Sequence, residues 1–262
     1  MVSLVKQSKS TIQEFSKQAA RMAEAPAFAA DDAVSPFLQL LGNPPPTRVL
    51  DLACGPGVLT RAVAKSGSRV VAADVTPAMV QRAQERCADT PGVEFRVCDA
   101  TELPFRDGEF DGVITRLSVH HFEEPTAVLQ EVHRVLATDG VLVLGDITCS
   151  ANADEARLHN ALEALRDPSH VQMLTRDDLE RLVTSVGFRV DTRLHWKQPR
   201  QFDEWAAIVA DARSLEPLRI VMRELAQTGR RAGIELHEDG STLRFSHQWV
   251  FLRALKSHVT ER

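Results

Sequence analysis

Val49-Leu50-Asp51-Leu52-Ala53-Cys54-Gly55-Pro56-Gly57 is the stretch that decides the fold. Apolar residues run into a loop with two glycines, and Val58 to Lys65 then reads as a helix. A strand, a glycine turn and a helix in that order aim backbone N–H groups and a helix N-terminus at a ligand. At the glycines a Cβ would hold that ligand away from the backbone. The next apolar run, Arg69 to Ala73, ends in Asp74. It lies roughly 20 residues on, where a carboxylate can grip ribose hydroxyls. The pattern predicts an α/β fold that binds a nucleoside-containing cofactor.

Two cofactor classes compete for such a loop. A nicotinamide dinucleotide needs G-x-G-x-x-G, whose third glycine lets the helix pack closely on the sheet. Here Thr60 stands at the third position, and Pro56 sits where a dinucleotide loop would donate an N–H. With Asp51 ahead of the glycines, the signature instead resembles motif I of the class I S-adenosylmethionine (SAM)-dependent methyltransferases. Further runs follow in order. Thr76-Pro77 looks like a cap and first turn of a helix. Val93 to Ala100 alternates and includes Asp99, Phe110 to Ile114 is a fourth strand, Val128 to Leu136 a helix, and Asp139 to Asp146 a turn into a fifth strand. From Val49 to Asp146 the chain resembles the small-molecule branch that includes the ubiquinone- and menaquinone-biosynthesis methyltransferases.

That resemblance implies a Rossmann-like, seven-stranded, mostly parallel sheet with helices on both faces and a helical lid. It implies SAM as cofactor and S-adenosylhomocysteine as product. Ala53, Cys54, Gly55 and Gly57 would hold the methionyl tail. Asp51 would brace that loop or accept from the tail ammonium through water. Asp74 would accept two ribose hydroxyls, Val75 and Met79 would pack on the adenine, and Asp99 with the Ala100 backbone would read its edge. Thr115 and Arg116 would end the fourth strand beside the tail.

The 262 residues carry a net charge of −5, with 44% hydrophobic and 26% charged residues. That composition suits one globular domain and argues against nucleic acid as the main partner. The four cysteines, Cys54, Cys87, Cys98 and Cys149, are scattered with no C-x-x-C pair, which suggests neither a metal site nor a disulfide framework. Reduced thiols point to a cytoplasmic protein, and no apolar run approaches membrane-spanning length. A homo-oligomer stays open. There is no tyrosine, so acid–base work falls to His, Asp, Glu, Cys or Lys.

The chain reads as a single domain over residues 1–262. Residues 1–36 would be an N-terminal helical lid, with a helix from Val2 to about Ala25 (apolar positions Leu4, Val5, Ile12, Phe15, Ala19 and Met22) and a break over Pro26 to Pro36. Residues 47–197 and 242–258 would be the core, and 198–241 a helical lid insertion. Asn43-Pro44-Pro45-Pro46 reads as a stiff linker. Ala151 to Leu165 looks helical. Thr175 caps a helix that Gly187 ends, and Phe188 to Trp196 looks like a sixth strand. Gln201 to Gly229 reads as helical with a break near Glu216-Pro217, and Thr242 to Ala254 as the last strand. In the family order that last strand enters antiparallel between the fifth and sixth.

His120 and His121 follow the fourth strand, where the family places groups that face the transferring methyl. Methyl transfer is an in-line displacement that depends on alignment and exclusion of water, and a histidine near neutral pKa can take a proton from the acceptor. His121 is the favoured member of the pair; packing or helix capping is the competing role. Phe15, Gln18, Arg166, His170 and Trp205 are candidates to line the acceptor pocket, against a purely structural role in the lid. Three functions remain in view: methyl transfer to a small molecule, a SAM-binding enzyme that does not methylate (such as a cyclase), and a macromolecule methyltransferase.

Overall fold

In a computed structural model, residues 9–24, 31–209 and 212–256 are described. Helix α1 (Lys9–Glu24) and helix α2 (Asp31–Leu41) precede the sheet. The expected helical positions Leu4 and Val5 lie outside the described residues. The expected break does not extend to Pro36, which lies within α2. The core then alternates: β1 (Arg48–Leu52), α3 (Val58–Lys65), β2 (Arg69–Asp74), α4 (Pro77–Arg86), β3 (Val93–Val97) and β4 (Phe110–Arg116). A short 3-10 turn at Val119–His121 leads to α5 (Pro125–Val135), β5 (Leu136–Thr148), α6 (Ala153–Arg166) and α7 (Arg176–Ser185). The chain closes with β6 (Phe188–Gln201), α8 (Phe202–Ala207), α9 (Glu216–Gln227), β7 (His237–Asp239) and β8 (Thr242–Lys256).

The sheet order is β3-β2-β1-β4-β5-β8-β6. Strands β1 to β5 pair in parallel, and β8 enters antiparallel between β5 and β6. The seven expected strands are present; an eighth, the short β7, forms a hairpin with β8. Alternation along the strands feeds both faces, as a parallel sheet covered by helices requires. Leu50, Leu52, Val71, Val113, Leu142 and Leu144 pack against α5 and α7 through Val128, Val132, Leu179 and Val183. Val49, Val70, Ile114, Val141 and Val143 pack on the other face against Phe37, Leu40 and Leu41 of α2 and Leu59 and Val63 of α3.

A strand end and a helix cap differ from the sequence reading. Strand β6 continues past Trp196 to Gln201, because Lys197 to Gln201 pair with Arg244 to Gln248 of β8. Pro199 disguised this extension, yet β6 is the edge of the sheet, where a missing N–H is tolerated. Thr76 occupies the N-cap position of α4, but its side chain makes no capping hydrogen bond. Elsewhere the local signals hold: the Thr175 side chain accepts from the Asp178 N–H at the start of α7, and Gly187 follows α7 with φ +100°. The insertion after β6 builds its own small core, in which Phe202, Trp205 and Ala206 of α8 meet Leu218 and Met222 of α9 and Leu243 and Phe245 of β8.

At Gly145 of β5 two aromatic rings close over the strand. Phe37 and Phe251 meet edge to face at 5.5 Å. A Cβ on Gly145 would come within 2.5 Å of Phe37 and 2.8 Å of Phe251. Gly145→Ala is therefore expected to cost about 1–3 kcal/mol by overpacking, read as a lower urea midpoint with an unchanged slope.

Candidate active site

The reversal of strand order between β1 and β4 opens a crevice at the carboxyl ends of the parallel strands, the position where open α/β sheets bind ligands. The loop after β1 is shaped for close approach. Ala53, Gly55 and Gly57 all have positive φ, at 54°, 51° and 77°. A Cβ on Gly55 would meet nothing within 4 Å, whereas one on Gly57 would sit 2.9 Å from the Ala83 backbone of α4. Gly55 thus leaves the cleft floor open, and Gly57 lets α3 and α4 pack together.

Asp74 ties this loop to β2. Its Oδ2 accepts from the Gly55 N–H at 2.9 Å, and its Oδ1 accepts from the Thr76 N–H at 2.8 Å. Burial pushes the Asp74 carboxyl up; the two backbone N–H groups oppose that shift. Asp51 accepts from the Thr60 hydroxyl at 2.5 Å. Burial raises the Asp51 carboxyl to about 7, against that hydrogen bond and the Arg116 charge. Arg116 is itself lowered to about 10 by burial, with Asp51 pulling the other way.

An open cleft lies over these groups, lined mostly by apolar side chains with a few polar groups among them. Asp51, Ala53, Cys54, Gly55, Asp74, Val75, Met79, Ala100 and Arg116 line it. Three expected residues stand behind the wall. Gly57 packs on α4. The Thr115 hydroxyl donates to the Leu52 carbonyl at 2.9 Å and receives the Ser118 hydroxyl at 2.5 Å. Asp99 Oδ1 accepts from the N–H and the hydroxyl of Thr101 at 2.8 and 2.9 Å, which turns the chain while Cys98 and Ala100 face the cleft. Leu52, Pro56, Leu59, Leu117 and Phe122 also line the cleft. These apolar walls were not legible, because an isolated leucine or proline carries no site signal.

A second cavity shares Phe15, Met22, Leu117 and His121 with the first. The candidates Gln18, Arg166 and Trp205 come together on its wall. Asp167, Gln198, Arg200, His247 and Trp249 line it as well. Those on β6 and β8 depend on the strand extension that the sequence concealed. His170 lies on neither cavity wall: its Nε2 bonds Asn160 Oδ1 at 2.9 Å, and its ring stands 5.8 Å from His120. Burial lowers His170 to about 4. Arg166 stacks over the Trp205 ring at 4.7 Å and pairs with Glu163 at 3.1 Å.

The two adjacent histidines have different settings. His120 lines the second cavity alone and His121 both. His120 Nδ1 lies 2.5 Å from Asp146 Oδ1. Asp146 also accepts from the N–H groups of Val119 and Ile147, at 2.9 and 2.8 Å, so it shapes the turn as well as the ring. Burial alone would lower His120, but the Asp146 charge and hydrogen bond outweigh it and hold the ring above its ordinary value. His121 Nδ1 lies 2.9 Å from the Ser169 carbonyl, which can only accept. Nδ1 therefore carries the proton and Nε2 the lone pair. Burial, with the neighbouring His120 charge, lowers His121 to about 3, so it is neutral at physiological pH.

Comparison with known proteins agrees with this architecture. Residues 50–144 match the methyltransferase domain family. The chain is 31% identical over 185 residues to YafE of Escherichia coli K12, a protein named as uncharacterized, covering 69% of this chain and 88% of that one. It is 42% identical over 97 residues to demethylmenaquinone methyltransferase of Clavibacter sepedonicus, covering 37% and 40%. The solved structure of BH2331 from Bacillus halodurans C-125 superposes with a TM-score of 0.78 at 25% identity, covering 85% of this chain and 97% of that one. The chain belongs to the class I SAM-dependent methyltransferases. It is an enzyme of that kind, with SAM as its cofactor.

The His120–Asp146 pair gives a pH test. A histidine whose folded pKa is raised contributes stability that is complete below its unfolded value and is lost as pH rises through the folded one. In the parent, the NMR titration midpoint of His120 is expected above 6.5. In Asp146→Asn the charge is gone and burial dominates, so the midpoint is expected to fall below 6.5.

Proposed function

We propose that this enzyme transfers the SAM methyl group to the carbon, oxygen or nitrogen of a small molecule held in the second cavity. The observation that carries the proposal is the shared wall. Phe15, Met22, Leu117 and His121 border both spaces, so a methyl group on a cofactor in the cleft would face an acceptor in the cavity. Methyl transfer needs that alignment and little else from the protein. Trp205 and Trp249 with Phe15 give the cavity flat apolar faces, which suit a small molecule with apolar or aromatic parts. Helices α1, α8 and α9 act in this reading as lid segments of one domain. The four free cysteines suit a reducing, cytoplasmic setting.

In the cleft, Asp74 has lone pairs beyond the two that hold Gly55 and Thr76, and these take the ribose hydroxyls. The Ala53–Gly55 backbone and Asp51 receive the methionyl tail, with Thr115 and Arg116 behind it. Val75, Met79 and Ala100 wall the adenine, with Asp99 holding the turn that carries Ala100. When bound, the cofactor would supply an electrophilic methyl group, and His121 Nε2 would take the proton released by an oxygen or carbon acceptor, which methylation makes acidic enough for a weakly basic imidazole. His120, fixed by Asp146, sets the position of His121 and the second cavity wall. Gln18, Arg166 and Trp205 frame the acceptor, and His170 supports His120 from behind.

Calorimetry with SAM and S-adenosylhomocysteine tests the cofactor half. Asp74→Ala is expected to weaken both by at least ~10-fold, the loss of charge-assisted hydrogen bonds worth about 1.5–3 kcal/mol. In the parent, binding should weaken as pH falls below about 7, where Asp51 takes up a proton, and Asp51→Asn should flatten that dependence. A metabolite screen read by S-adenosylhomocysteine release tests the acceptor half. Turnover that Trp205→Ala slows while cofactor affinity stays constant supports the reading. Turnover only with protein or nucleic acid contradicts it.

A further inference from the structure

A second cluster of ligating side chains lies beside the acceptor cavity, away from the His120–His121 pair. His159 and Glu163 stand one turn apart on α6, and His247 comes from β8. All three are buried, at 2%, 1% and 6% exposure. Glu163 Oε1 lies 3.0 Å from His247 Nε2 and 3.8 Å from His159 Nε2. The ligating atoms of the three residues all lie within 4.8 Å of one another. Two ligands on a tetrahedral ion with bonds of about 2.0–2.2 Å sit roughly 3.3–3.6 Å apart, so small side-chain movements bring this set around one ion.

Hydrogen bonding does not account for the cluster. Among the described residues, neither nitrogen of His159 has a hydrogen-bond partner, and neither do His247 Nε2 and Glu163 Oε1. The 3.0 Å approach of His247 to Glu163 is therefore close without hydrogen-bond alignment. Buried polar groups are normally satisfied, and a set of orphans converging on one point calls for a ligand. The other carboxylate oxygen, Oε2, is engaged by Arg166 at 3.1 Å. That contact turns Oε1 toward the two imidazoles, as outer partners orient metal ligands. Arg166 and Arg200 bring positive charge to the neighbourhood; besides Glu163, Arg166 has Asp167 at 4.0 Å, and Arg200 has Glu204 at 3.3 Å.

We propose that His159, Glu163 and His247 form a two-histidine, one-carboxylate site for a divalent first-row metal ion. Two imidazole nitrogens and one carboxylate oxygen suit Zn²⁺ best. The sequence reading expected no metal, because the cysteines form no C-x-x-C pair and no clustered acids with histidine spacing follow the fourth strand. The fold supplies His247 from β8. His247 also lines the second cavity, so an ion held here would stand beside that space, where an oxygen donor of an acceptor could complete its coordination. This last step rests on the proposed function, whereas the ion site does not.

The test uses untagged, full-length protein stripped with chelator and titrated with Zn²⁺, then with Co²⁺ as a visible probe. Uptake of one ion per chain is expected, with the d–d absorption of a four-coordinate Co²⁺ site. His159→Ala, Glu163→Gln and His247→Ala should each weaken uptake by at least ~10-fold. Circular dichroism and S-adenosylhomocysteine binding show whether each variant has folded. X-ray absorption of the Zn²⁺-loaded parent needs no variant and should show two imidazole ligands and one carboxylate. No stoichiometric uptake by the parent, or uptake unchanged in folded variants, overturns the site and leaves the three residues as a buried polar cluster. S-adenosylhomocysteine binding is read without the metal, so the two readings fail separately.

Discussion

The bond from the Gly55 N–H to the Asp74 carboxylate, 2.9 Å long, is the constraint on which the rest of the site depends. It joins the end of β1 to the end of β2, and so fixes the loop that forms the cleft floor. A carboxylate buried in this way is costly unless it is bonded, and both backbone bonds come from the ligand loop or the turn beside it. The same carboxylate keeps lone pairs for hydroxyl donors. One residue therefore shapes the loop backbone and lines the cleft with a carboxylate.

The sheet carries that geometry to the reacting centre. The parallel register sets Asp51 beside Ile114 and Leu52 beside Thr115, which brings Arg116 and the following turn to the edge of the cleft. Asp146, one strand further on, then organises that turn through the backbone of Val119 and the ring of His120. The cleft and the second cavity are thus shaped by acids near the carboxyl ends of β1, β2 and β5. Phe15, Gln18 and Met22 of α1 and Trp205 of α8 complete the walls of the second cavity.

What the sequence disclosed, and what it hid, divides along the range of the interactions. The run from β1 through α4 was legible because glycines with positive φ, a proline at a first helical turn and apolar alternation are local signals. Helix α3 and strand β2 fall on the residues expected of them. The second cavity was only half legible. Phe15, Gln18, Arg166 and Trp205 were found, but Gln198, Arg200, His247 and Trp249 reach it through the pairing of β6 with β8. That pairing is long-range, and Pro199 falls where the sequence reading began a helical lid insertion at residue 198. His170 shows the converse: its neighbourhood suggested a ligand-facing ring, while Asn160 on α6 holds it in a supporting layer. Asp146 was visible as a strand end, but its partnership with His120 exists only in the folded chain.

The most direct measurement is a crystal structure of the enzyme with S-adenosylhomocysteine. The ribose hydroxyls should lie within hydrogen-bond distance of Asp74, with the methionyl tail over Ala53–Gly55 and the sulfur directed at the wall shared by the two cavities. A nucleoside bound elsewhere, or seated in the cleft with its sulfur turned away from His121, would contradict the account.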